Sequence, residues 1–259
     1  MIYVCVPCHN EAETVGLLLW KVRQVFSDFP REYQLLVGDD ASTDATSEVL
    51  APYAKVLPLT VVRHRSRQGQ ARTVEELLRM AAERTDRPKR DYAVVLHADF
   101  THGPAILPEI VKRLDSGADL VVAEGRLTAA GEPSRGYRLL RRWGRLLVPR
   151  AARVPGVKDL ISGCVAFRLI ALKGAMRSWP DALLKAEGWA ANAELIAKVA
   201  RHSRRIDTVA ATERHDLRQR ASRLAPWAEA RALWRQRPLL RDLPPLDRHG
   251  PRLTEEATA

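Results

Sequence analysis

The sequence contains no run of the roughly 18 uncharged apolar residues that a membrane-spanning helix needs. Its first residues, Met1 to Pro7, lack the basic start and the long apolar stretch of a secretion signal, and we interpret them as a strand. These two absences predict a cytoplasmic protein. There is also no zinc finger and no aromatic RNA-binding motif, which argues against nucleic acid as a partner.

Cysteine is scarce, with three in 259 residues. Cys5 and Cys8 have the C-x-x-C spacing of a redox pair, but no βα unit precedes them, which argues against that function. Cys164 stands alone in the second half of the chain. Cysteine therefore cannot supply a four-ligand zinc site.

Acidic residues are outnumbered, since 42 Lys and Arg face 31 Asp and Glu and the net charge is +11. Such a surplus predicts a polyanionic neighbour, which could be nucleic acid, anionic lipid headgroups or a phosphorylated substrate. The arginine-rich composition typical of high-GC genomes explains the total equally well. The length allows one large α/β domain or two closely packed units with a real core.

Apolar strand-like segments alternate with helical periodicity over the first hundred residues. The predicted strands cover residues 2–7, 34–37, 59–63 and 92–96, and we expect the first helix to begin at an N-cap on Asn10. This alternation predicts an α/β fold in which helices flank a doubly wound, mostly parallel sheet. The second half predicts helices over 104–115 and 187–200, further strands near 119–123, 159–167 and 206–211, and a loose tail from Pro238.

Polar clusters follow three of the predicted strands. They cover Pro7 to Glu11, Asp39 to Asp44, and His97 to Thr101. Because ligands bind at the carboxyl ends of strands in an open parallel sheet, we expect the three clusters to meet in one crevice.

Five motifs carry a family resemblance. They are Val6-Pro7-Cys8-His9-Asn10-Glu11-Ala12-Glu13, Val37-Gly38-Asp39-Asp40-Ala41-Ser42-Thr43-Asp44, His97-Ala98-Asp99, the segment from Gly117 to Arg126, and Asp159-Leu160-Ile161-Ser162-Gly163. In this order they resemble the family 2 glycosyltransferases with the GT-A fold, and within that family the dolichyl- and polyprenyl-phosphate sugar synthases. The resemblance covers about residues 2–224.

The resemblance implies a role for each matched position. The nucleotide base and ribose pocket would be lined by Pro7, His9 and Glu11, and Asp39 or Asp40 would accept a hydrogen bond from the base or ribose. Asp99 would be a carboxylate of the D-x-D motif, whose metal bridges the nucleotide diphosphate. The remaining matches are Arg126 near the acceptor phosphate, Asp159 and Glu194 as further catalytic candidates, and Arg218 with Ser222 in a segment that closes over the site.

His97 replaces the first Asp of the D-x-D motif. Imidazole can bind Mn²⁺ but suits Mg²⁺ poorly, because Mg²⁺ prefers oxygen. A site made by His97 and Asp99 could therefore select Mn²⁺, bind metal weakly or bind none. Alternatively, His97 hydrogen-bonds a neighbouring loop.

The predicted function is inverting transfer of a sugar from a nucleotide-diphosphate sugar to an acceptor, with a polyprenyl-phosphate lipid as the leading acceptor. Residues 1–103 would form the nucleotide-sugar half, residues 104–225 the acceptor half, and residues 226–259 a basic helix and tail. Two alternatives stay open. One is the same fold with a soluble acceptor, and the other is a non-catalytic nucleotide-binding or nucleic-acid-binding basic protein.

Residues 138–150 place leucines and Trp143 on one helical face and arginines on the other. This pattern suits a helix lying on anionic lipid, and it suits equally a helix packed on the protein core. A second such segment covers residues 227–237. The lipid interpretation predicts a peripheral position on the inner face of the membrane.

Overall fold

The computed structural model describes residues 1–127, 144, 146–213, 226–246 and 252–253. The strands are β1 (Ile2–Cys8), β2 (Tyr33–Asp39), β3 (Leu59–Arg63), β4 (Tyr92–Val95), β5 (Leu120–Leu127), β6 (Val165–Arg168), β7 (Arg205–Glu213) and β8 (Arg252–Leu253). The helices are α1 (Val15–Asp28), α2 (Thr46–Val56), α3 (Gln70–Arg84), α4 (Leu107–Asp115), α5 (Leu169–Ser178), α6 (Gly188–Ala200), α7 (Pro226–Arg235) and α8 (Arg237–Arg241). None of these described helices combines the length and the hydropathy needed to cross a bilayer.

The strands form one sheet in the order β3-β2-β1-β4-β6-β5-β7-β8. All neighbours pair in parallel except β6, which runs antiparallel to both β4 and β5. The predicted α/β fold with a doubly wound, mostly parallel sheet is therefore confirmed.

Strand β1 shows why the sheet must be covered on both faces, since every one of its residues is buried. Successive side chains of a strand point to opposite faces. Tyr3 and Cys5 accordingly join the apolar cluster that contains α3, α5 and α6. Ile2 and Val4 join the cluster that contains α1, α2 and α4. A buried central strand of this kind has a continuous apolar sequence and not an alternating one.

The predicted N-cap at Asn10 is wrong. Helix α1 begins at Val15, and Asn10 has a φ of 55°, in the left-handed region. A short polar side chain lets Asn adopt this conformation, and its amide oxygen accepts the Thr43 N–H of the neighbouring loop instead of an N–H at the start of the helix. Asn10 is instead part of the loop that leads from β1 into the crevice described below.

The C-terminal part contains more regular structure than the loose tail predicted from Pro238. Helix α8 covers Arg237–Arg241, and Leu240 and Leu243 are buried in the core. The predicted basic helix over residues 227–237 is observed as α7. Most of the amphipathic segment 138–150 lies outside the described residues.

Candidate active site

One edge of the sheet collects the segments that carry the predicted site. Strands β1, β2 and β4 are parallel neighbours, and β5 has the same direction as β4 because both are antiparallel to β6. The carboxyl ends of all four strands therefore lie at one edge, and the segment entering β6 starts there as well. All three predicted polar clusters therefore lie at this edge, which is where open sheets place their ligand sites.

The loops after β1 and β2 are joined by hydrogen bonds. Thr43 N–H donates to Asn10 Oδ1 at 2.7 Å, and Asn10 N–H donates to Ser42 Oγ at 2.9 Å. Glu11 N–H donates to Thr46 Oγ1 at 2.9 Å. These contacts fix the two loops relative to each other, which gives the crevice one rigid wall.

The predicted pocket residues of the first loop lie on this wall. Pro7 pairs with Gly38 in the parallel register of β1 and β2 and is buried. His9 Nδ1 lies 2.7 Å from the Asp40 carbonyl oxygen, so Nδ1 must carry the proton and donate it. The buried Glu11 accepts a hydrogen bond from Thr14 Oγ1 at 2.8 Å.

Asp39 is fully buried and serves the start of α2. Its Oδ1 accepts the Ser42 N–H at 2.9 Å and its Oδ2 accepts the Ser47 hydroxyl at 2.7 Å. The Arg63 guanidinium lies 3.6 Å from Oδ2. The carboxylate thus shapes the β2 loop by accepting from protein donors.

Asp40 is the centre of a charged network with His64, which follows β3. Its Oδ1 lies 2.8 Å from His64 Nδ1, and His64 Nε2 lies 2.6 Å from Glu76 Oε2. Burial would raise the pKa of Asp40, but hydrogen bonds from His64 and from the Gln68 and Gly69 backbone bring it below its ordinary value. Burial would lower the pKa of His64, but the two carboxylates raise it above its ordinary value.

Glu187 borders the same network from the other side. A methyl group at Gly69, whose φ is 92°, would lie 3.2 Å from Glu187 Oε2. Burial and the negative charge of Asp40 raise the pKa of Glu187. Glu187 directly precedes α6, so the start of this helix faces the crevice.

The loop after β4 holds Asp99 in a strained turn. Phe100 is buried with a φ of 59°, which is unusual for a bulky residue. Asp99 Oδ1 accepts the Thr101 N–H at 3.0 Å and the Thr101 hydroxyl at 2.6 Å. The strain and the two hydrogen bonds together orient the Asp99 carboxylate.

His97 packs against the segment that enters β6. Gly163 has no room for a side chain, because a methyl group there would overlap His97 Nε2. Four residues earlier, Asp159 Oδ2 lies 3.5 Å from the Gly125 N–H at the end of β5. The structure thus brings His97 and Asp159 to the same edge as the nucleotide-side loops.

The fit of this edge to a divalent cation depends on the substrate. Among the residues that the structure describes, no group of three or more His, Cys, Asp or Glu side chains could hold a metal ion. Asp99 supplies an oriented carboxylate and His97 an imidazole. These donors suit a cation whose remaining ligands are oxygens of a bound diphosphate.

Glu194 is placed differently from the other predicted site residues. It is 1% exposed, its Oε1 lies 2.6 Å from Lys198 Nζ, and its Oε2 accepts the N–H groups of Lys185 and Ala186, each at 2.8 Å. Lys198 Nζ also donates to the Leu183 carbonyl at 2.7 Å. This buried pair binds the backbone of the segment before α6. Both carboxylate oxygens of Glu194 are therefore bound by groups of the protein itself.

Three predicted residues cannot be placed by their side chains. The backbone of Arg126 pairs with Thr212 between β5 and β7, which puts it at the same edge, but its side chain is outside the described structure. Arg218 and Ser222 also lie outside the described residues.

Sequence reasoning missed His64, Glu76 and Glu187. His64 directly follows the third strand, just as the three predicted polar clusters follow the first, second and fourth strands. Its position at a strand end could therefore have indicated a site residue. Glu76 and Glu187 have no such signal, because a glutamate on or before a helix usually faces solvent.

The sheet, the oriented Asp99 and the joined loops define an α/β protein whose polar loops collect at the carboxyl ends of its parallel strands. Residues 3–174 match glycosyl transferase family 2, and the chain belongs to this family. The GT-A fold and the family resemblance of its motifs are confirmed.

Two curated relatives are each 26% identical to the chain. Dolichol-phosphate mannosyltransferase of Pyrococcus furiosus matches over 177 residues, 67% of this chain and 47% of the relative. Undecaprenyl-phosphate 4-deoxy-4-formamido-L-arabinose transferase of Pseudomonas fluorescens matches over 218 residues, 83% of this chain and 58% of the relative. The chain thus spans about half the length of the curated relatives it matches.

Solved structures share the fold at low sequence identity. Mannosyltransferase PcManGT of Pyrobaculum calidifontis, in complex with GDP-Man and Mn²⁺, is 20% identical with a TM-score of 0.56, covering 89% of this chain and 60% of that one. Glucosyl-3-phosphoglycerate synthase of Mycobacterium tuberculosis, in complex with Mn²⁺, UDP and glucosyl-3-phosphoglycerate, is 20% identical with a TM-score of 0.56, covering 96% of this chain and 81% of that one.

Proposed function

We propose that this protein transfers a sugar from a nucleotide-diphosphate sugar to a polyprenyl phosphate at a membrane surface, with inversion at the anomeric carbon. The observation that carries the proposal is the convergence of the loops after β1, β2 and β4 at one sheet edge, with Asp99 oriented by Thr101. Family membership and the two lipid-phosphate sugar transferases among the relatives support it.

In this proposal the nucleotide lies along the wall made by the first two loops. Asp39 and Asp40 stiffen that wall through their hydrogen bonds to protein donors. Asp99, with His97 two residues before it in the same loop, would hold a divalent cation together with the diphosphate oxygens, and the imidazole favours Mn²⁺ over Mg²⁺. Such a cation stabilises the negative charge that develops on the leaving diphosphate.

The acceptor half would lie near Arg126 and Asp159. A lipid phosphate carries a second pKa of about 6, so it is already anionic near neutral pH and needs positioning more than a strong base. In-line attack from the face opposite the leaving diphosphate inverts the anomeric centre. The proposal therefore assigns this chain a mainly electrostatic and orienting task.

One observation favours a hydroxyl acceptor as a second candidate. Glu187 lies at the crevice, and burial together with the charge of Asp40 raises its pKa. A carboxylate of raised pKa is suited to take the proton of an attacking hydroxyl group.

A donor and acceptor panel tests both candidates. The protein is incubated with UDP-, GDP- and other nucleotide sugars, in one series with a short-chain polyprenyl phosphate in detergent and in a parallel series with soluble hydroxyl acceptors. Products are detected by mass spectrometry. Glycosylated lipid phosphate supports the proposal. Product found only with hydroxyl acceptors supports the second candidate, and the absence of transfer from every donor contradicts both.

A further inference from the structure

We propose that the outward face of α7 and α8 docks on an anionic lipid bilayer. This surface is defined by Trp227, Arg231, Trp234, Arg235, Leu239 and Arg241. The proposal rests on the proposed function for one point only, namely that a polyprenyl-phosphate acceptor resides in a bilayer. The other arguments come from burial and charge.

One side of α7 and of α8 is already packed against the core. Leu233 and Leu240 are buried in the main apolar cluster, as is Leu243 just after α8. In an amphipathic helix that only packs on its own protein, the remaining face is polar. The apolar residues on the outward face of α7 and α8 therefore need another explanation.

That outward face carries two tryptophans and a leucine. Trp227 is 70% exposed, Trp234 is 58% exposed and Leu239 is 40% exposed. Trp227 and Trp234 are seven residues apart, so they lie two turns apart on one side of α7. Tryptophan with its apolar ring and polar N–H is suited to the boundary between lipid headgroups and acyl chains.

Arginines surround these apolar groups. Arg231, Arg235 and Arg241 are exposed, and the Arg237 guanidinium lies 4.2 Å from the ring centroid of Trp234. A guanidinium at the edge of an apolar patch can contact phosphates while its stem covers apolar surface. This combination complements a surface that is both negative and apolar, and an anionic bilayer has both properties.

The acidic residue within α7 points inward. Burial raises the pKa of Glu229, which accepts the Trp189 backbone N–H, and a methyl group at Gly188 would lie 2.9 Å from Glu229 Oε2. Glu229 therefore contacts the start of α6 and is turned away from the proposed docking face. Asp242, just after α8, is the acidic exception on the exposed side.

The same helix pair is linked to the crevice. Glu187 N–H donates to Gln236 Oε1 at 2.6 Å, and Gln236 directly follows α7. Glu187 in turn borders Gly69 and Asp40. The helix pair that would hold the bilayer is thus connected, through Gln236 and Glu187, to the loops at the carboxyl ends of the strands.

Vesicle flotation tests the proposal with the full chain. Vesicles of phosphatidylcholine alone are compared with vesicles that also contain phosphatidylglycerol. Wild type should float only with the anionic vesicles, and less at high salt. Arg231→Gln with Arg235→Gln should weaken partitioning about 25-fold, since each arginine near such a surface contributes roughly a fivefold effect. Trp227→Ala with Trp234→Ala should weaken it by at least about tenfold.

Trp20→Ala is the matched control. Trp20 is 45% exposed, lies on α1 at the opposite face of the sheet, and has Lys21 Nζ 5.9 Å from its ring. It should leave flotation unchanged, and all variants should keep the thermal unfolding of wild type because the altered side chains are exposed. Equal losses in Trp20→Ala and in the α7 variants would overturn the proposal.

Three further outcomes would also overturn it. One is flotation that the α7 variants retain while Arg141→Gln with Arg142→Gln abolishes it. The second is equal binding to neutral and anionic vesicles. The third is a duplex-DNA shift that needs Arg231 and Arg235 in the absence of flotation, which would assign the face to nucleic acid.

Sugar transfer in detergent separates this proposal from the proposed function, because detergent-dispersed short-chain acceptors need no bilayer. Transfer without flotation contradicts the docking surface and the membrane location, and leaves the proposed sugar transfer standing. Flotation without transfer from any donor contradicts the proposed function alone.

Discussion

His64 Nδ1 lies 2.8 Å from Asp40 Oδ1, and this contact joins the loop after β3 to the loop after β2. Glu76 binds the other imidazole nitrogen at 2.6 Å. A histidine between two carboxylates is stabilised as the imidazolium ion. The loops after β2 and β3 are therefore held together by an imidazole whose pKa the two carboxylates raise above its ordinary value, against the effect of burial.

This contact predicts a specific pH dependence of stability. Because the pKa of folded His64 is raised, its stabilisation is complete below the unfolded value of about 6.5 and is lost as pH rises through the folded pKa. The lowered pKa of Asp40 acts at the acidic end, where its stabilisation is lost as pH falls through that pKa. The urea midpoint of wild type should exceed that of His64→Gln most below about pH 6.5.

The difference in urea midpoint between wild type and His64→Gln should become smaller at higher pH. Glu76→Gln is the companion variant, because it removes one carboxylate and should reduce the pH dependence without abolishing it. A gap between wild type and His64→Gln that is the same at every pH would contradict the assignment.

Asn10 should contribute to stability in two separable ways. Asn10→Ala loses the hydrogen bonds with Thr43. It also puts alanine, whose side chain has no polar group, in the left-handed conformation at a φ of 55°. Together these changes should lower the free energy of unfolding by about 2 kcal/mol. Asn10→Gly loses the same hydrogen bonds but tolerates the backbone, and should cost about 1 kcal/mol. Denaturant unfolding measures both, and equal costs would argue against backbone strain at this position.

The Glu194–Lys198 pair should be structural in its effects. Lys198→Met leaves Glu194 charged and buried, which should destabilise the fold by about 3–5 kcal/mol. Glu194→Gln should lower stability while the rate of transfer per folded molecule stays unchanged. A loss of rate at unchanged stability would instead support the catalytic role that the family resemblance implies.

His97→Asp should improve the binding of Mg²⁺. It supplies a second carboxylate beside Asp99, and Mg²⁺ prefers oxygen ligands, so affinity in the presence of a nucleoside diphosphate should rise about tenfold. Calorimetric titration of Mg²⁺ into the protein with GDP or UDP measures it. Unchanged or weaker binding would show that His97 does not occupy a ligand position.

Strands β1 and β4 could be predicted from sequence because every one of their residues is buried, and the half-buried edge strand β3 because it is rich in apolar and β-branched residues. Leu59–Arg63 is observed as predicted, and the segments around β1, β2 and β4 differ only at their ends. The antiparallel direction of β6 could not be predicted, because an apolar segment does not indicate which strands it pairs with or in which direction. Helix α5 was missed because it begins at Leu169 directly after the last residue of β6, with no loop between the two elements.

The positions of Asp40 and Asp99 just after β2 and β4 were predictable, because in each case a motif follows an apolar strand. The partners of those residues were not, because His64, Glu76 and Glu187 reach the crevice from other elements. Likewise, nothing local distinguishes Glu194 on a helix surface from Glu194 buried against Lys198. The periodicity of apolar residues predicts helices and strands. Contacts between residues on distant elements become known only from the three-dimensional structure.

The most direct test of the account is the rate of sugar transfer to polyprenyl phosphate by wild type and by Asp99→Asn. The substitution keeps the shape of the side chain and its contact with Thr101 but removes the charge that would hold a cation on the diphosphate. The account predicts measurable transfer by wild type and a fall of at least about 100-fold in the variant at unchanged stability. Equal rates in the two proteins, or no transfer by wild type from any nucleotide sugar, would contradict it.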